Sequence, residues 1–325
     1  MDSLFVILGL CGLVAGGEAL VRGAVALAFR AGLSPMVIGL TLVGFGTSTP
    51  ELVTSLQAAL AAAPGIALGN VVGSNIANIL LILGLAALIS PVAVTRRALH
   101  RDGAVLMLAT LAGLAVVLSG RAGPGAGLAL LAGLAVYLWL TLRAERGGGP
   151  AAEIHAAEAA LLAPETAAAP GGAAAPAWRA ALMLAGGLAL TLGAARLLVL
   201  GAVGLAEAAG LSEAVIGVSI VAIGTSMPEL VTSVVAARRG QGAVALGNVI
   251  GSNIFNILGI LGATALIAPL AVPAGIARFD IWVMLAASLI LWPVARSGWR
   301  IARVEGAALL AGYALYLGVL LAGAV

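Results

Sequence analysis

Two glutamates stand inside strongly apolar stretches of the chain, each next to the same small group of polar residues. Glu51 belongs to the segment GTSTPELVTS, which begins at Gly46, and Glu229 belongs to GTSMPELVTS, which begins at Gly224. Nine of the ten letters agree between the two segments. A charged residue at the centre of a bilayer costs roughly 2.5–3.5 kcal/mol on insertion scales, so two such carboxylates indicate a function that uses their charge.

Hydroxyl groups share a helix face with each glutamate. Thr47 and Ser48 stand four and three residues before Glu51, and Thr225 and Ser226 stand in the same relation to the second glutamate. Side chains at these spacings are neighbours on the surface of a helix. Each segment therefore presents a carboxylate and two hydroxyl groups together.

Prolines next to the glutamates predict broken helices. Pro50 and Pro228 have no N–H group, so they leave the carbonyl groups of Gly46 and Gly224 without their helical partners. Irregular backbone at membrane depth is tolerated only where it is buried in protein or lines a cavity. The two segments therefore predict a cavity that offers carboxylate, hydroxyl and carbonyl oxygens.

The composition places these segments in a membrane. The 325 residues are 62% hydrophobic and 9% charged, with a mean hydropathy of +1.17. Soluble domains carry about 25% charged residues, so we predict an integral membrane protein. The apolar N-terminus runs past Glu18 without a signal-peptide cleavage site and is interpreted as a membrane helix. Cys11 is the only cysteine, so it forms no intrachain disulfide, and we expect it to be buried.

Hydropathy predicts ten membrane-spanning helices, since a bilayer core needs about 20 apolar residues per helix. Spans 1 to 10 are predicted at 4–29, 34–60, 68–89, 103–119, 125–142, 179–206, 212–237, 245–268, 279–295 and 305–323. Between spans 5 and 6 lies a segment rich in Ala, Pro and Gly, which is interpreted as a linker. The predicted domains are a first five-helix repeat at 1–142, the linker at 143–178 and a second five-helix repeat at 179–325.

An internal repeat relates the two halves of the chain at a constant sequence offset. The offset carries Glu51 onto Glu229, and it carries the segment ALGNVVGSNIANILLILG (67–84) onto ALGNVIGSNIFNILGILG (245–262), which agrees at 15 of 18 positions. Each copy has an odd number of spans, so the copies must enter the membrane from opposite sides, as in many secondary transporters. The predicted fold is an all-α polytopic membrane protein with ten transmembrane helices in two inverted-topology five-helix repeats.

Arginine distribution predicts the orientation in the membrane. The loops after the odd-numbered spans, with nearby helix ends, hold thirteen arginines, and the opposite face holds only Arg121, Arg196 and Arg278. The positive-inside rule assigns the arginine-rich face to the cytoplasm. Both termini are then predicted outside, with the linker in the cytoplasm.

Inverted symmetry should bring polar segments of spans 2, 3, 7 and 8 together near the bilayer midplane. Spans 3 and 8 contribute Ser74 with Asn78, and Ser252 with Asn256, each pair spaced to share one helix face. The cluster offers oxygen atoms without imidazole or thiolate groups, which suits Ca²⁺, Mg²⁺ or Na⁺ rather than zinc or copper. Ca²⁺ takes about 6–8 oxygen ligands, which such a cluster can supply.

Other polar residues near the cluster have competing interpretations. Hydroxyl groups that serve interhelical hydrogen bonding are predicted at Thr54, Ser55, Thr232 and Ser233. Four amides either cap and pack helices or support the site, namely Asn70, Asn75, Asn248 and Asn253. Glu18 and Arg22 are spaced i, i+4 and are predicted to pair with each other.

With these motifs, GTS-x-PE and GSNI-x-NI in duplicate, the chain resembles the cation/calcium exchanger superfamily, most closely the bacterial sodium/calcium exchangers. The resemblance covers both halves. It implies helices 2, 3, 7 and 8 around four cation sites, one for Ca²⁺ and the others for Na⁺. It also implies that helices 1 and 6 slide across this core to give alternating access.

The resemblance implies a ligand for each matching motif position. The side-chain ligands implied are Thr47, Ser48, Glu51, Ser74, Asn78, Thr225, Ser226, Glu229, Ser252 and Asn256. Backbone carbonyls at Gly44 and Ala222 complete the implied set. One departure is that Asn78 and Asn256 are both amides, where many members of the family carry one aspartate.

The predicted function is Na⁺/Ca²⁺ antiport in a membrane, expected to be the bacterial inner membrane. The alternative is H⁺-coupled exchange of Ca²⁺ or another divalent cation, and an ion channel is a third possibility. The chain has no HExxH helix, P-loop or GxGxxG turn, which argues against an enzyme. The expected partners are Ca²⁺, Na⁺ and lipid, with no cofactor, nucleic acid or protein partner.

Overall fold

The protein, in a computed structural model, is built almost wholly of helices. The structure describes residues 1–31, 38, 44–96, 99–145, 156–157, 159–160 and 176–323. Among these residues, eight helices are long and apolar enough to cross a membrane, and one bent pair of helices forms a ninth candidate. The predicted all-α membrane fold is confirmed.

The described spans agree with the predicted ones to within a few residues at each end. Spans 1 to 5 are Asp2–Arg30, Gly44–Thr47 with Thr49–Leu60, Pro64–Ile89, Leu99–Leu118 and Pro124–Glu145. Spans 6 to 10 are Ala177–Ala209, Glu213–Thr225 with Met227–Arg238, Gly242–Ile267, Ile276–Arg296 and Arg303–Ala322. The first part of span 2 and most of the linker 143–178 lie outside the described residues. The count of ten spans therefore stays a prediction for span 2.

Two short strand pairs display the symmetry of the repeat. Strand β1 (Val92–Ala93) pairs with β4 (Arg300–Ile301), and β2 (Arg121–Ala122) pairs with β3 (Leu270–Ala271), all antiparallel. The repeat offset carries β1 onto β3, so it exchanges one strand pair for the other. The pair of β2 with β3 lies at the first face of the membrane, where spans 3 and 7 begin. The pair of β1 with β4 lies at the second face, where these spans end.

A hydrogen bond between equivalent residues lies on the axis that relates the two halves. The hydroxyl groups of Thr110 in span 4 and Ser288 in span 9 are buried and 3.1 Å apart. The two residues are equivalent positions of the repeat. A contact between two equivalent side chains is expected only near a two-fold axis. The two halves are therefore packed against each other as an inverted pair.

Spans 3 and 8 form the centre of the protein. Every residue from Gly65 to Ala77 is buried, and most residues of Gly242–Phe255 are buried too. A helix that is apolar nearly all round is expected to be buried on all sides. These two spans carry the serine and asparagine pairs, so the sequence positions the polar groups on the best-protected helices.

Spans 1 and 6 form an antiparallel pair that packs closely through glycine. A Cβ atom added to Gly9, Gly16 or Gly23 would lie 2.7, 2.7 or 2.5 Å from an atom of span 6. The predicted ion pair of Glu18 with Arg22 is confirmed at 2.6 Å on the exposed side of span 1. The expectation that Cys11 is buried is wrong. Cys11 lies on an exposed side of span 1. Hydropathy alone does not say which side of an apolar helix meets lipid, so the sequence could not place this residue.

Candidate functional site

The helices that carry the two glutamates are interrupted just before them. Ser48 separates Gly44–Thr47 from Thr49–Leu60, and Ser226 separates Glu213–Thr225 from Met227–Arg238. The two halves of span 7 meet at an angle of 47°. Each proline is at the start of the second half-helix, where a missing N–H group costs no helical hydrogen bond. The breaks put hydroxyl groups and backbone at the middle of the spans.

Each glutamate is bound by the serine of the other repeat. The Ser48 hydroxyl donates to Glu229 Oε1 at 2.9 Å, and the Ser226 hydroxyl donates to Glu51 Oε1 at 2.9 Å. Ser252 also donates to Glu229 Oε1, at 3.3 Å. The crossed bonds bring the two glutamate motifs, which belong to different repeats, into one site.

The two carboxylates are fully buried and lack a compensating cation. Both glutamate side chains have 0% relative exposure. Within the described part of the chain the ion pairs are Glu18 with Arg22 and Arg101 with Asp102, so no basic side chain pairs with Glu51 or Glu229. A buried charge is stable only when it is paired or binds a metal ion. The site therefore has the electrostatics of a cation-binding site.

Several buried oxygen atoms in the site have no hydrogen-bond partner among the described residues. These atoms are Thr47 Oγ1, Glu51 Oε2, Asn78 Oδ1, Glu229 Oε2 and Asn256 Oδ1. Buried polar atoms without a partner are uncommon in folded proteins and suggest an ion or water. All five are oxygens of the kind that Ca²⁺ and Na⁺ prefer. No cluster of three or more His, Cys, Asp or Glu that could hold a metal ion occurs in the described residues.

The asparagines of spans 3 and 8 differ in their contacts. Asn78 donates from Nδ2 to Asn253 Oδ1 at 2.9 Å, and Asn253 donates to the Asn75 carbonyl at 3.3 Å. Asn256 has no hydrogen bond from either side-chain atom to a described residue. Each of the two implied ligands, Asn78 and Asn256, begins a π-helical turn. Such turns occur frequently at functional sites in helices.

The implied backbone ligands lie in the two half-helices that precede the breaks. The Ala222 carbonyl accepts a hydrogen bond from the Ser226 N–H group at 3.1 Å, and its oxygen lies 3.3 Å from the Thr225 hydroxyl oxygen. The Ser74 hydroxyl contacts the same carbonyl at 3.5 Å. Gly44 begins the short helix Gly44–Thr47, which packs against span 8. The Ala222 carbonyl therefore contacts residues of both repeats, Ser74 of the first and Ser226 of the second.

Hydrogen bonds connect most of the implied ligands into two groups, one around each glutamate. Bonds to the glutamates join Ser48, Ser226 and Ser252, while Ser74 and Thr225 meet at the Ala222 carbonyl. Within the described residues, Thr47 and Asn256 have no side-chain hydrogen bond. Each group therefore includes residues of both repeats, and several oxygens of the site have no hydrogen-bond partner among the described residues.

Two asparagines that the sequence left undecided support the glutamates. Asn70 donates to the Glu51 carbonyl at 3.1 Å and to Ser55 Oγ at 2.9 Å. Asn248 makes the equivalent bonds, to the Glu229 carbonyl at 3.2 Å and to Ser233 Oγ at 3.0 Å. The repeated tripeptide LGN was the available signal. It did not reveal the partners, because these lie on another span.

The chain is similar to known sodium/calcium exchangers over nearly its whole length. The family model described as "Sodium/calcium exchanger protein" matches residues 2–143 and 179–322. The chain is 39% identical over 317 residues to "Putative antiporter CaxA" of Alkalimonas amylolytica, covering 97% of each chain. It is 39% identical over 346 residues to "Sodium/calcium exchanger MaX1" of Methanosarcina acetivorans, covering 98% of each.

A solved structure has a similar fold over nearly the whole chain. It is the sodium-calcium exchanger NCX_Mj soaked with Na⁺ and Sr²⁺, and it matches with a TM-score of 0.64 at 33% sequence identity. The match covers 98% of this chain and 97% of that one. The similarity in fold therefore extends across both repeats.

Proposed function

The chain belongs to the sodium/calcium exchanger family, and from this we propose that it is a secondary active antiporter that exchanges Na⁺ for Ca²⁺. The observation that carries the proposal is the pair of fully buried glutamates, Glu51 and Glu229, with one oxygen of each unpaired. Ca²⁺ brings two positive charges, which neutralise two carboxylates. Several Na⁺ ions can bind the same oxygens in place of Ca²⁺.

We assign the ions to the oxygen cluster formed by spans 2, 3, 7 and 8. The ligands in this proposal are Thr47, Ser48, Glu51, Ser74, Asn78, Thr225, Ser226, Glu229, Ser252 and Asn256, with the carbonyls of Gly44 and Ala222. The shared contacts at the glutamates support it, because an ion held there touches both repeats.

Alternating access in this proposal uses the pair formed by spans 1 and 6. Its glycine-lined interface keeps the two helices at a fixed close distance, so they can move as one body. Transporters with inverted repeats open to either side largely by moving one bundle against another around a fixed site. The broken spans 2 and 7 supply the irregular backbone that such a site needs.

We propose two exchanger repeats at 1–142 and 179–325, with the segment 143–178 as a linker between them. The residues matched by the family model, 2–143 and 179–322, support this division. By the arginine bias, the second face is cytoplasmic, both termini are outside, and the membrane is the bacterial inner membrane. Cysteines replacing Gly123 and Arg239 in a Cys11→Ala background should react with impermeant reagents from opposite sides. Reaction from one side would overturn this arrangement.

The test of the function is Ca²⁺ uptake by purified protein in liposomes, with Na⁺ and pH gradients imposed separately. An outward Na⁺ gradient alone should drive uptake. Uptake that follows only the pH gradient would replace the proposal with H⁺-coupled exchange. Fluxes at the rate of a channel, seen by electrical recording, would replace it with conduction.

The two amides at Asn78 and Asn256 make the charge carried per cycle measurable. With two carboxylates, one Ca²⁺ leaves the site neutral, and three Na⁺ leave it with one positive charge. Exchange of three Na⁺ for one Ca²⁺ then responds to voltage, since one charge in 100 mV contributes about 2.3 kcal/mol. Uptake that is indifferent to a potential clamped with valinomycin and K⁺ would show a two-for-one exchange.

A further inference from the structure

Asn70 joins three elements of the site with one side chain. Its Nδ2 group donates to the Glu51 carbonyl at 3.1 Å and to Ser55 Oγ at 2.9 Å, which holds span 3 against span 2. Its Oδ1 atom accepts a hydrogen bond from the Thr225 hydroxyl at 2.8 Å. Thr225 belongs to the other repeat, so this last bond crosses between the two halves.

The equivalent asparagine lacks the crossing bond. Asn248 makes the same two amide bonds within its own half, to the Glu229 carbonyl and to Ser233. The threonine equivalent to Thr225 is Thr47, whose hydroxyl group is buried beside the Glu229 carboxylate and makes no hydrogen bond to Asn248 in the described part of the chain. The two repeats have nearly identical sequences here. The asparagine–threonine bond is nevertheless present for Asn70 and absent for Asn248.

The crossing bond also sets the direction of the Thr225 hydroxyl group. An amide oxygen only accepts hydrogen bonds, so the hydroxyl proton must point at Asn70. The lone pairs of Thr225 Oγ1 are then left for a cation. The other acceptor near this hydroxyl, the Ala222 carbonyl, is farther away at 3.3 Å. Asn70 thus presents a ligand oxygen in the orientation that an ion requires.

The equivalent glycines of spans 3 and 8 also differ, in how deeply they are buried. Gly73 is buried, and a Cβ atom added to it would lie 2.5 Å from the Val218 carbonyl oxygen, so span 3 is tightly packed against the first half of span 7. Gly251, the equivalent glycine, is only partly buried, and a Cβ atom added there meets no heavy atom of the described chain within 4 Å. Span 3 is therefore closely packed against the first half of span 7 at Gly73, whereas Gly251 of span 8 is partly accessible.

We propose that Asn70 and Asn248 are positioning residues that form alternating latches. The bond between Asn70 and Thr225 closes the site at the first face, and an equivalent bond between Asn248 and Thr47 forms when the site closes at the second face. The inference rests on the exchange function proposed above. Its physical basis is that the two halves of an inverted repeat exchange their conformations when access changes sides.

The two asparagines are matched controls for each other. Asn70→Ala and Asn248→Ala lose the same two bonds within their own halves, but they remove latches that belong to opposite states. The state equilibrium should shift in opposite directions, by roughly two- to tenfold for one neutral hydrogen bond. Apparent affinity depends on the fraction of protein in the competent state. The ratio of apparent KM for Ca²⁺ at the two faces should therefore move in opposite directions.

A double variant and a second pair of substitutions test the same latches independently. Asn70→Ala combined with Asn248→Ala should return the KM ratio toward its original value. If the alanine variants fail to fold, Thr225→Val and Thr47→Val remove the hydroxyl donors and leave both amides in place. These two should also shift the ratio in opposite directions. Equal shifts, or none, in each matched pair would overturn the latches.

A labelling experiment separates this inference from the transport function. Gly251→Cys in a Cys11→Ala background places a thiol at a partly buried position of span 8. Its reaction rate with a soluble maleimide should fall when Asn70→Ala is added and should not fall with Asn248→Ala. This readout requires no ion flux, so it tests the latches even if Na⁺-driven uptake fails. Equal effects of both substitutions on labelling would overturn them.

Discussion

The surroundings of Glu51 and Glu229 are alike in the serine bonds that cross between the repeats, whereas the equivalent amides Asn78 and Asn256 differ in their contacts. Both carboxylates accept a bond of 2.9 Å from the serine of the opposite repeat. In contrast, Asn78 is bonded to Asn253, whereas Asn256 has no side-chain hydrogen bond to any described residue. We expect contacts present in both copies to persist in every state, and contacts present in one copy to depend on the conformation.

The largest effect should come from removing either glutamate charge. Glu51→Gln or Glu229→Gln leaves the charge of Ca²⁺ partly uncompensated in a buried site, which costs about 3–5 kcal/mol when one partner of a buried pair is lost. Ca²⁺ affinity should fall by roughly 10²–10⁴, equally in both variants. Ca²⁺ flux in liposomes measures this.

Glu18→Gln is the control for that prediction, because Glu18 forms an exposed ion pair with Arg22. Exposed pairs contribute about 0–1 kcal/mol, so flux should be unchanged. Near-normal flux after either Glu51→Gln or Glu229→Gln would move the ion site elsewhere. A loss in only one of the two would break the symmetry between the carboxylates.

The crossed serine bonds should have the next largest effect. Ser48→Ala and Ser226→Ala each remove a bond to a carboxylate, and bonds to charged groups contribute about 1.5–3 kcal/mol. We expect similar losses of Ca²⁺ affinity in both variants, by about tenfold or more. Calorimetric titration with Ca²⁺ in detergent measures the two losses. Losses that differ by an order of magnitude would show that the carboxylates are not equivalent.

The two amides should respond differently to a carboxylate. Asn256→Asp breaks no hydrogen bond within the described residues, so its added charge should raise Ca²⁺ affinity, with little loss of stability when the site is saturated with Ca²⁺. Asn78→Asp removes the donor to Asn253 Oδ1, and a buried acceptor left unpaired costs about 1–3 kcal/mol. Its melting temperature should be the lower of the two. Equal melting temperatures would show that the bond to Asn253 contributes little.

The glycines of spans 3 and 8 should give the smallest and most asymmetric effects. Gly73→Ala forces a Cβ atom against Val218 and should destabilise the protein by about 1–3 kcal/mol. Gly251→Ala should stabilise this state by about 0.4–1 kcal/mol, because its Cβ atom meets no described atom and restricts the unfolded chain. Thermal unfolding compares the two.

Transport adds a second readout for Gly251→Ala. If the space around Gly251 closes in the opposite state, as the space around Gly73 is closed in this one, this variant should be stable and yet exchange more slowly. Exchange at the original rate would show that the looser side of the site never closes in this way. Gly123→Ala, in a loop where an added Cβ atom meets no described atom within 4 Å, is the control.

Much of the fold and of the site's chemistry follows from local and periodic features of the sequence. Apolar runs of sufficient length predict helices that cross a membrane, and a five-span unit that occurs twice in one chain requires an inverted arrangement. Glu51 and Glu229 predict a cation site, because a buried charge needs a partner and the neighbouring groups offer only oxygen. These inferences hold because they depend on residue type and spacing within one or two helices.

Only the tertiary structure decides which groups meet and which of two equivalent groups has a partner. The role of Asn70 was undecided in the sequence because its partner Thr225 lies far along the chain, on a span of the other repeat. The exposure of Cys11 was predicted wrongly because an apolar side chain suits lipid and protein interior equally well. The difference between Asn70 and Asn248 has a further cause. Nearly identical sequences have nearly identical local preferences, so a single conformation of the whole molecule selects which copy forms the contact.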